Sequence, residues 1–176
     1  MRPPVRIANV SGFYGDRLAA AREMLDGPDP IDVLTGDYLA ELTMLILGRD
    51  RLKDPTLGYA KTFLRQLETA LGEAVDRGVR IVTNAGGLNP AGLADSVRRL
   101  EGRLGLEVRV AHVQGDDLLA RVGELGLGEP LAANAYLGAW GIAECMRAGA
   151  DVVVTGRVTD ASLVVGPAAA HFGWSR

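Results

Sequence analysis

The sequence predicts an α/β fold: an open, doubly wound, mostly parallel sheet of about five strands with helices on both faces. Three observations predict it. Five short runs rich in β-branched residues (5–10, 31–34, 79–83, 108–113 and 152–155) alternate with segments of helical periodicity. Those runs are apolar on both alternations, as in strands covered on two faces, and strand–helix alternation implies parallel crossovers. Finally, 23 glycines and 48% hydrophobic residues, of which few are aromatic, suit close packing of helices on a sheet.

Taken in order, the first run leads to a helix over 16–25, with Leu18, Ala21 and Leu25 on one face. The long connection to the third run holds two helical segments. "GRDRLKDPT" (48–56) separates them as a charged loop, a solvated linker or a lid. The second of these segments, 56–75, repeats Leu57, Ala60, Leu64, Leu67, Leu71 and Val75 on one face. After the third run, Asn89-Pro90 reads as an N-cap with proline in the first helical position, ahead of Leu93, Val97, Leu100 and Leu104. Asp116 or Asp117 is expected to cap a fourth helix. Asn134 is expected to cap a fifth that runs to Arg147 and stops at Gly149. A length of 176 residues suits a single domain over 1–176.

Composition narrows the function. The net charge is −3, with acidic and basic residues mixed, so no basic face for nucleic acid is expected. The single cysteine, Cys145, excludes an internal disulfide and a cysteine zinc site, and reads as a packing residue. "MRPPVRIANV" lacks a signal-peptide apolar region, and no run approaches membrane-spanning length, so a cytoplasmic protein without a membrane partner is expected. Neither a G-x-G-x-x-G turn nor a GK[ST] loop is present, which leaves the cofactor unknown and without a nicotinamide or nucleoside-triphosphate signature. The carboxylates are scattered, and no metal site is expected.

The most informative pattern lies at the strand ends. "NVSGFYGDR" (9–17), "DVLTGDY" (32–38), "IVTNAGG" (81–87) and "VVVTGRV" (152–158) each pass from an apolar run to hydroxyl, amide and glycine residues. In a parallel sheet these exits share the carboxyl edge, where open α/β folds bind ligands. Glycine permits a sharp turn and a close approach, and helix N-termini there favour anions. The expected binding residues are therefore Gly12, Tyr14, Gly36, Asn84, Gly86, Gly87, Gly156 and Thr159. The same residue types also serve ordinary turns and caps.

Four side chains are candidates for chemistry. Arg157 suits a two-pronged clamp on a carboxylate, or a salt bridge to Asp160. Asp160 suits an acid–base role or an N-cap; Asp37 is similarly ambiguous, with Glu41 one turn beyond it. His112, late in the fourth strand, suits proton transfer near neutral pH or a structural place. Asn84 suits donation to an oxyanion. No G-x-S-x-G elbow supports a serine triad.

"RIANVSGFYGDR", "LTGDYLAELTM", "VTNAGGLNP" and "GADVVVTGRVTDASLVVGPAAAHFGW" together resemble the N-terminal region of the acyclic terpene utilisation (AtuA-like) proteins, in order along essentially the whole chain. The resemblance implies a catabolic setting, the breakdown of branched terpenoid alcohols and acids through acyl-CoA intermediates. By motif it marks Gly12, Tyr14, Gly15, Asp16, Gly36, Asp37, Asn84, Gly86, Gly87, Asn89, Gly156, Arg157, Thr159 and Asp160. It also implies a longer family architecture, of which 1–176 is the N-terminal part, completed by a C-terminal region or by self-association. The expected function is an enzyme that binds a carboxylate or acyl-CoA and performs proton abstraction, hydration or carbon–carbon cleavage beside a carbonyl. The alternative is a non-catalytic binding or assembly subunit that needs a partner polypeptide.

Overall fold

A computed structural model describes residues 2–175. Five parallel strands, β1 (Ile7–Asn9), β2 (Val33–Gly36), β3 (Arg80–Thr83), β4 (Val110–Val113) and β5 (Val152–Thr155), form one open sheet in the order β1-β2-β3-β5-β4. The fold is the α/β class that the sequence predicts. Each strand overlaps its predicted run; β2 begins two residues late, at Val33, and just before it the Asp32 carboxylate accepts from Arg6 N–H.

Strict alternation divides the sheet between two cores. Leu34, Ile81, Val152 and Val154 face one side, against α1 (Ala20–Asp26), α3 (Lys61–Asp76) and α4 (Pro90–Leu104). Val33, Val82 and Val153 face the other, against α5 (Trp140–Arg147) and α6 (Ser162–Phe172). Fully burying one such Val, Leu or Phe stabilises by about 1.5–3 kcal/mol, so the two-sided pattern fixes register as well as fold. β3 exits to α4 on one face and β5 exits to α6 on the other. Adjacent exits that diverge in this way make the β3/β5 edge the topological switch point of the sheet.

The remaining helix, α2 (Glu41–Lys53), packs on neither face. It lies at the carboxyl edge through Leu47, which is buried with Leu39 and Leu88, and Arg51 donates to Leu88 O and pairs with Asp117, both at 3.0 Å. The helix runs through most of the segment expected to be a loop and stops only at Asp54, before Pro55.

Three capping expectations need correction. Asn89 does cap α4, its Oδ1 accepting from Gly92 N–H at 2.9 Å. No α-helix follows Asp116-Asp117, however: there is only a 3-10 turn, Leu119–Arg121, with Asp117 accepting from Leu119 N–H. Asn134 caps nothing, since α5 starts at Trp140. Residues 133–137 are instead laced onto the strand exits: Leu118 N–H donates to Ala133 O, Ala135 N–H to Asp116 O and Leu137 N–H to Arg157 O. Asp160 does not cap α6 by its side chain either; it stands exposed ahead of the first turn. Among the described residues, no helix is long and apolar enough to cross a membrane.

Candidate functional site

The carboxyl edge separates into two polar clusters. In the first, Asn84 is wholly buried. Its Oδ1 accepts from Tyr38 N–H at 2.7 Å, and its Nδ2 donates to Asp37 Oδ1 at 2.6 Å. Asp37 also accepts from Leu39 N–H, at 3.3 Å. The amide thus ties the β2 exit to the β3 exit and does not face a ligand space. Asp37 and Glu41 share no helix face, because Asp37 lies in the turn before α2.

The glycines of this edge make room for protein atoms. A Cβ on Gly36 would stand 2.7 Å from the Tyr38 ring, and one on Gly86 would stand 2.4 Å from Thr155 O. Gly87 has φ +53°, and a Cβ there would meet Leu47 at 2.4 Å. One on Gly156 would meet the Asp116 carboxylate at 2.4 Å. At Gly36, Gly86 and Gly156 the expected cradle is therefore filled by the fold itself, whereas Gly87 lines a small cavity of about 240 Å³ with Asn89, Pro90 and Asp116.

The second cluster lies over that closed edge. Arg157, 6% exposed, donates from Nη1 to Leu39 O at 3.0 Å and from Nη2 to the Tyr136 hydroxyl at 2.7 Å. Its guanidinium carbon is 4.3 Å from the Tyr136 ring centroid, a cation–π contact worth about 0.5–1 kcal/mol with the ring half exposed. The Tyr136 hydroxyl in turn donates to Glu41 Oε1 at 3.0 Å. Glu41's own backbone N–H, the Tyr136 hydroxyl and the Arg157 charge, in that order, hold its carboxyl below the ordinary glutamate range. Asp160 lies 3.7 Å from Nη2, so the predicted Arg157–Asp160 pair exists but is loose and wet.

Beneath Arg157, the buried Asp116 carboxylate accepts from Arg157 N–H at 2.7 Å and from Asn134 Nδ2 at 2.9 Å. A carboxylate only accepts, which fixes the Asn134 amide and leaves its Oδ1 buried without a hydrogen-bond partner. Arg157, Asn134, Tyr136 and Glu41 form the polar end of a groove of about 350 Å³, whose apolar walls are Met44, Leu45, Leu131 and Ala132. That volume falls within the usual range for small-molecule sites, roughly 300–1,000 Å³.

The structure does not gather all the sequence candidates here. His112 sits on β4, an edge strand of the sheet, in register with Val154 and on the parity of Val110, which packs on the α3/α4 side; it does not line the groove. Gly12 donates its N–H to Asp16 at 2.9 Å beside β1, and lines a different cavity of about 770 Å³. Tyr14 packs half-buried among core side chains, and burial, chiefly, raises its phenol pKa. Thr159 shares a hydrogen bond with Ser162, 2.6 Å apart, at the start of α6. Sequence reasoning missed Asp116, Asn134 and Tyr136 as site residues. The "GDD" after β4 and the "NAY" of 134–136 carry no spacing signature.

The chain is thus an open parallel α/β domain that carries, at its carboxyl edge, a groove headed by a nearly buried arginine. The family described as acyclic terpene utilisation family protein AtuA matches residues 5–176, and the chain belongs to that family. Searches of curated proteins and of solved structures return no match.

Proposed function

We propose that the groove binds a branched, apolar carboxylic acid or its acyl thioester, and that this binding serves the terpene utilisation of the family. The carbonyl end lies at Arg157 and the hydrocarbon chain along Met44, Leu45, Leu131 and Ala132. One observation carries the reading: a nearly buried guanidinium, set among Glu41, Asn134 and Tyr136, at the polar end of a groove whose other walls are apolar. An arginine held away from water binds a carboxylate or carbonyl oxygen more strongly than an exposed one, because competing hydration is reduced. The chemistry in view is proton transfer beside that carbonyl, as in a hydratase or lyase.

Calorimetric titration with 3-methylbutanoate and with its N-acetylcysteamine thioester tests this. Binding is expected, with a loss of at least tenfold in affinity for Arg157→Lys, whose single ammonium lacks the guanidinium fork. Because Arg157 also braces Leu39, the wall variant Leu45→Glu, at a partly exposed position, is the second arm and should abolish binding with folding intact. Heat that neither variant alters would remove the groove from the account.

A second reading, a non-catalytic assembly subunit, has its own support. Helix α6 keeps Val164, Val165 and Phe172 exposed, and Trp174 stacks on Phe172 with centroids 5.7 Å apart. An apolar run left open to water marks contact surfaces. Binding of either ligand that depends on Leu45 favours the small-molecule reading over this one.

A further inference from the structure

Of the side chains that line the groove, only Glu41 and Tyr136 can pass a proton; Arg157 stays protonated, and Met44, Leu45, Leu131, Ala132 and Asn134 carry no ionisable group. The acids and base expected to do this work lie elsewhere or are engaged. Asp37 is held by Asn84 and Leu39 N–H, and His112 is on the other side of the sheet from α5, away from the groove. Asp160 stands outside it, exposed beside the guanidinium.

Tyr136 is differently placed. Its hydroxyl accepts from Arg157 Nη2 at 2.7 Å and donates to Glu41 Oε1 at 3.0 Å. A phenol oxygen has two lone pairs, so one remains for a ligand. The side chain is 52% exposed at the groove. A tyrosine needed only to cover Arg157 would require its ring alone. Here the hydroxyl links the buried cation to the one carboxylate that lines the groove.

We infer that Tyr136 is the proton-transfer residue of this groove and that Glu41 is the carboxylate that takes up its proton, the ligand being a carbonyl compound with a hydrogen on the adjacent carbon. The inference rests on the groove binding a carboxylic acid or thioester. In the forward step the ligand C–H bond breaks and its proton bonds to Tyr136 Oη. The phenol's own proton passes at the same time to Glu41 Oε1. The electron pair stays on the ligand as an enolate, beside the Arg157 guanidinium. Charge moves from Glu41 to the ligand, no oxidant or reductant is consumed, and the phenol ends as it began. A positioned relay of this kind contributes about 10²–10⁴-fold in rate.

The test is deuterium exchange. The full chain is incubated in D2O with the N-acetylcysteamine thioester of 3-methylbutanoic acid. Loss of the proton signal beside the carbonyl is followed by NMR, and affinity is measured on the same preparation by calorimetry. Exchange above the protein-free rate is expected. It should fall at least 100-fold in Tyr136→Phe and in Glu41→Gln, with affinity within threefold of the parent, and Glu41→Asp should recover part of it. Both positions are exposed on the groove rim, and matched melting curves establish that the variants fold. A thioester that binds without exchange in the parent protein overturns the inference and leaves the binding reading standing. Exchange unchanged in Tyr136→Phe also overturns it. Absence of binding removes the carboxylate reading, and this inference with it.

Discussion

The two polar clusters at the carboxyl edge use similar residues to opposite ends. Around Asn84 the amide is spent on Tyr38 N–H and Asp37, and Thr83 Oγ1 donates to Gly36 O while accepting from Ala85 N–H. Gly86 and Gly156 close the remaining space against Thr155 O and Asp116. Around Arg157 the cation is buried, but its partners Tyr136 and Glu41 reach solvent and border a groove. A parallel sheet must satisfy the backbone of every exit turn before it can offer polarity to a ligand. Here the switch point itself is spent on that task. The open groove lies one layer outward, on the wall that α2 and the 131–136 segment build above it.

If that contrast is right, the first cluster should respond to substitution as architecture. Asn84→Ala leaves Tyr38 N–H buried without an acceptor and takes a donor from Asp37. The expected loss is roughly 3 kcal/mol in urea unfolding, since each buried unsatisfied group costs about 1–3 kcal/mol. A loss under about 1 kcal/mol would mean that water replaces the amide, so that the first cluster is open as well. Gly86→Ala comes next. Its new methyl would lie 2.4 Å from Thr155 O and 2.8 Å from Pro90, so the end of β5 and the start of α4 would both have to shift. A destabilisation of about 1–3 kcal/mol is expected from such overpacking. A neutral result would mean that Thr155 and Pro90 yield to the added methyl at little cost.

The sequence carried the fold better than the site, for a physical reason. Period-2 alternation in Leu34, Ile81 and Val152 against Val33, Val82 and Val153 is a local signal of a two-sided sheet, and it gave class, strands and carboxyl edge. Asn89-Pro90 likewise marked α4, because a cap is a contact between neighbours in the chain. The site depends on pairs far apart in sequence: Arg157 with Leu39, Tyr136 with Glu41 and Asp116 with Asn134. No periodicity encodes those meetings. Arg157 stood out as a candidate because it comes just past a strand end, one glycine beyond β5. Asp116 and Asn134 looked like caps because short polar residues before apolar runs usually are caps; long-range bonding claimed both side chains first. Gly36, Gly86, Gly87 and Gly156 do mark close approaches, and what approaches them is the protein, whereas Gly12 marks none.

The smallest expected effect sharpens the contrast through pH. Glu41 is exposed, and its carboxyl lies below its ordinary range through its own backbone N–H, Tyr136 and Arg157. A folded-state value depressed below the unfolded one means that the native state favours the ionised form. The contribution is therefore present in full above the unfolded value and is lost as pH falls through the folded one. Glu41→Gln removes that dependence. Its melting temperature should fall slightly below the parent's at neutral pH, and the two should converge in acid, below the ordinary glutamate range. Salt should narrow the gap at neutral pH, because the interaction is wet. Asn84→Ala should show the weaker salt dependence, since the bond it deletes to Tyr38 N–H joins an amide to the backbone inside the fold. A Glu41→Gln gap indifferent to both acid and salt would mean that the groove rim is bound as tightly as the closed edge. The distinction between a cluster spent on the fold and a cluster left for a ligand would then fail at the point where it is most easily measured.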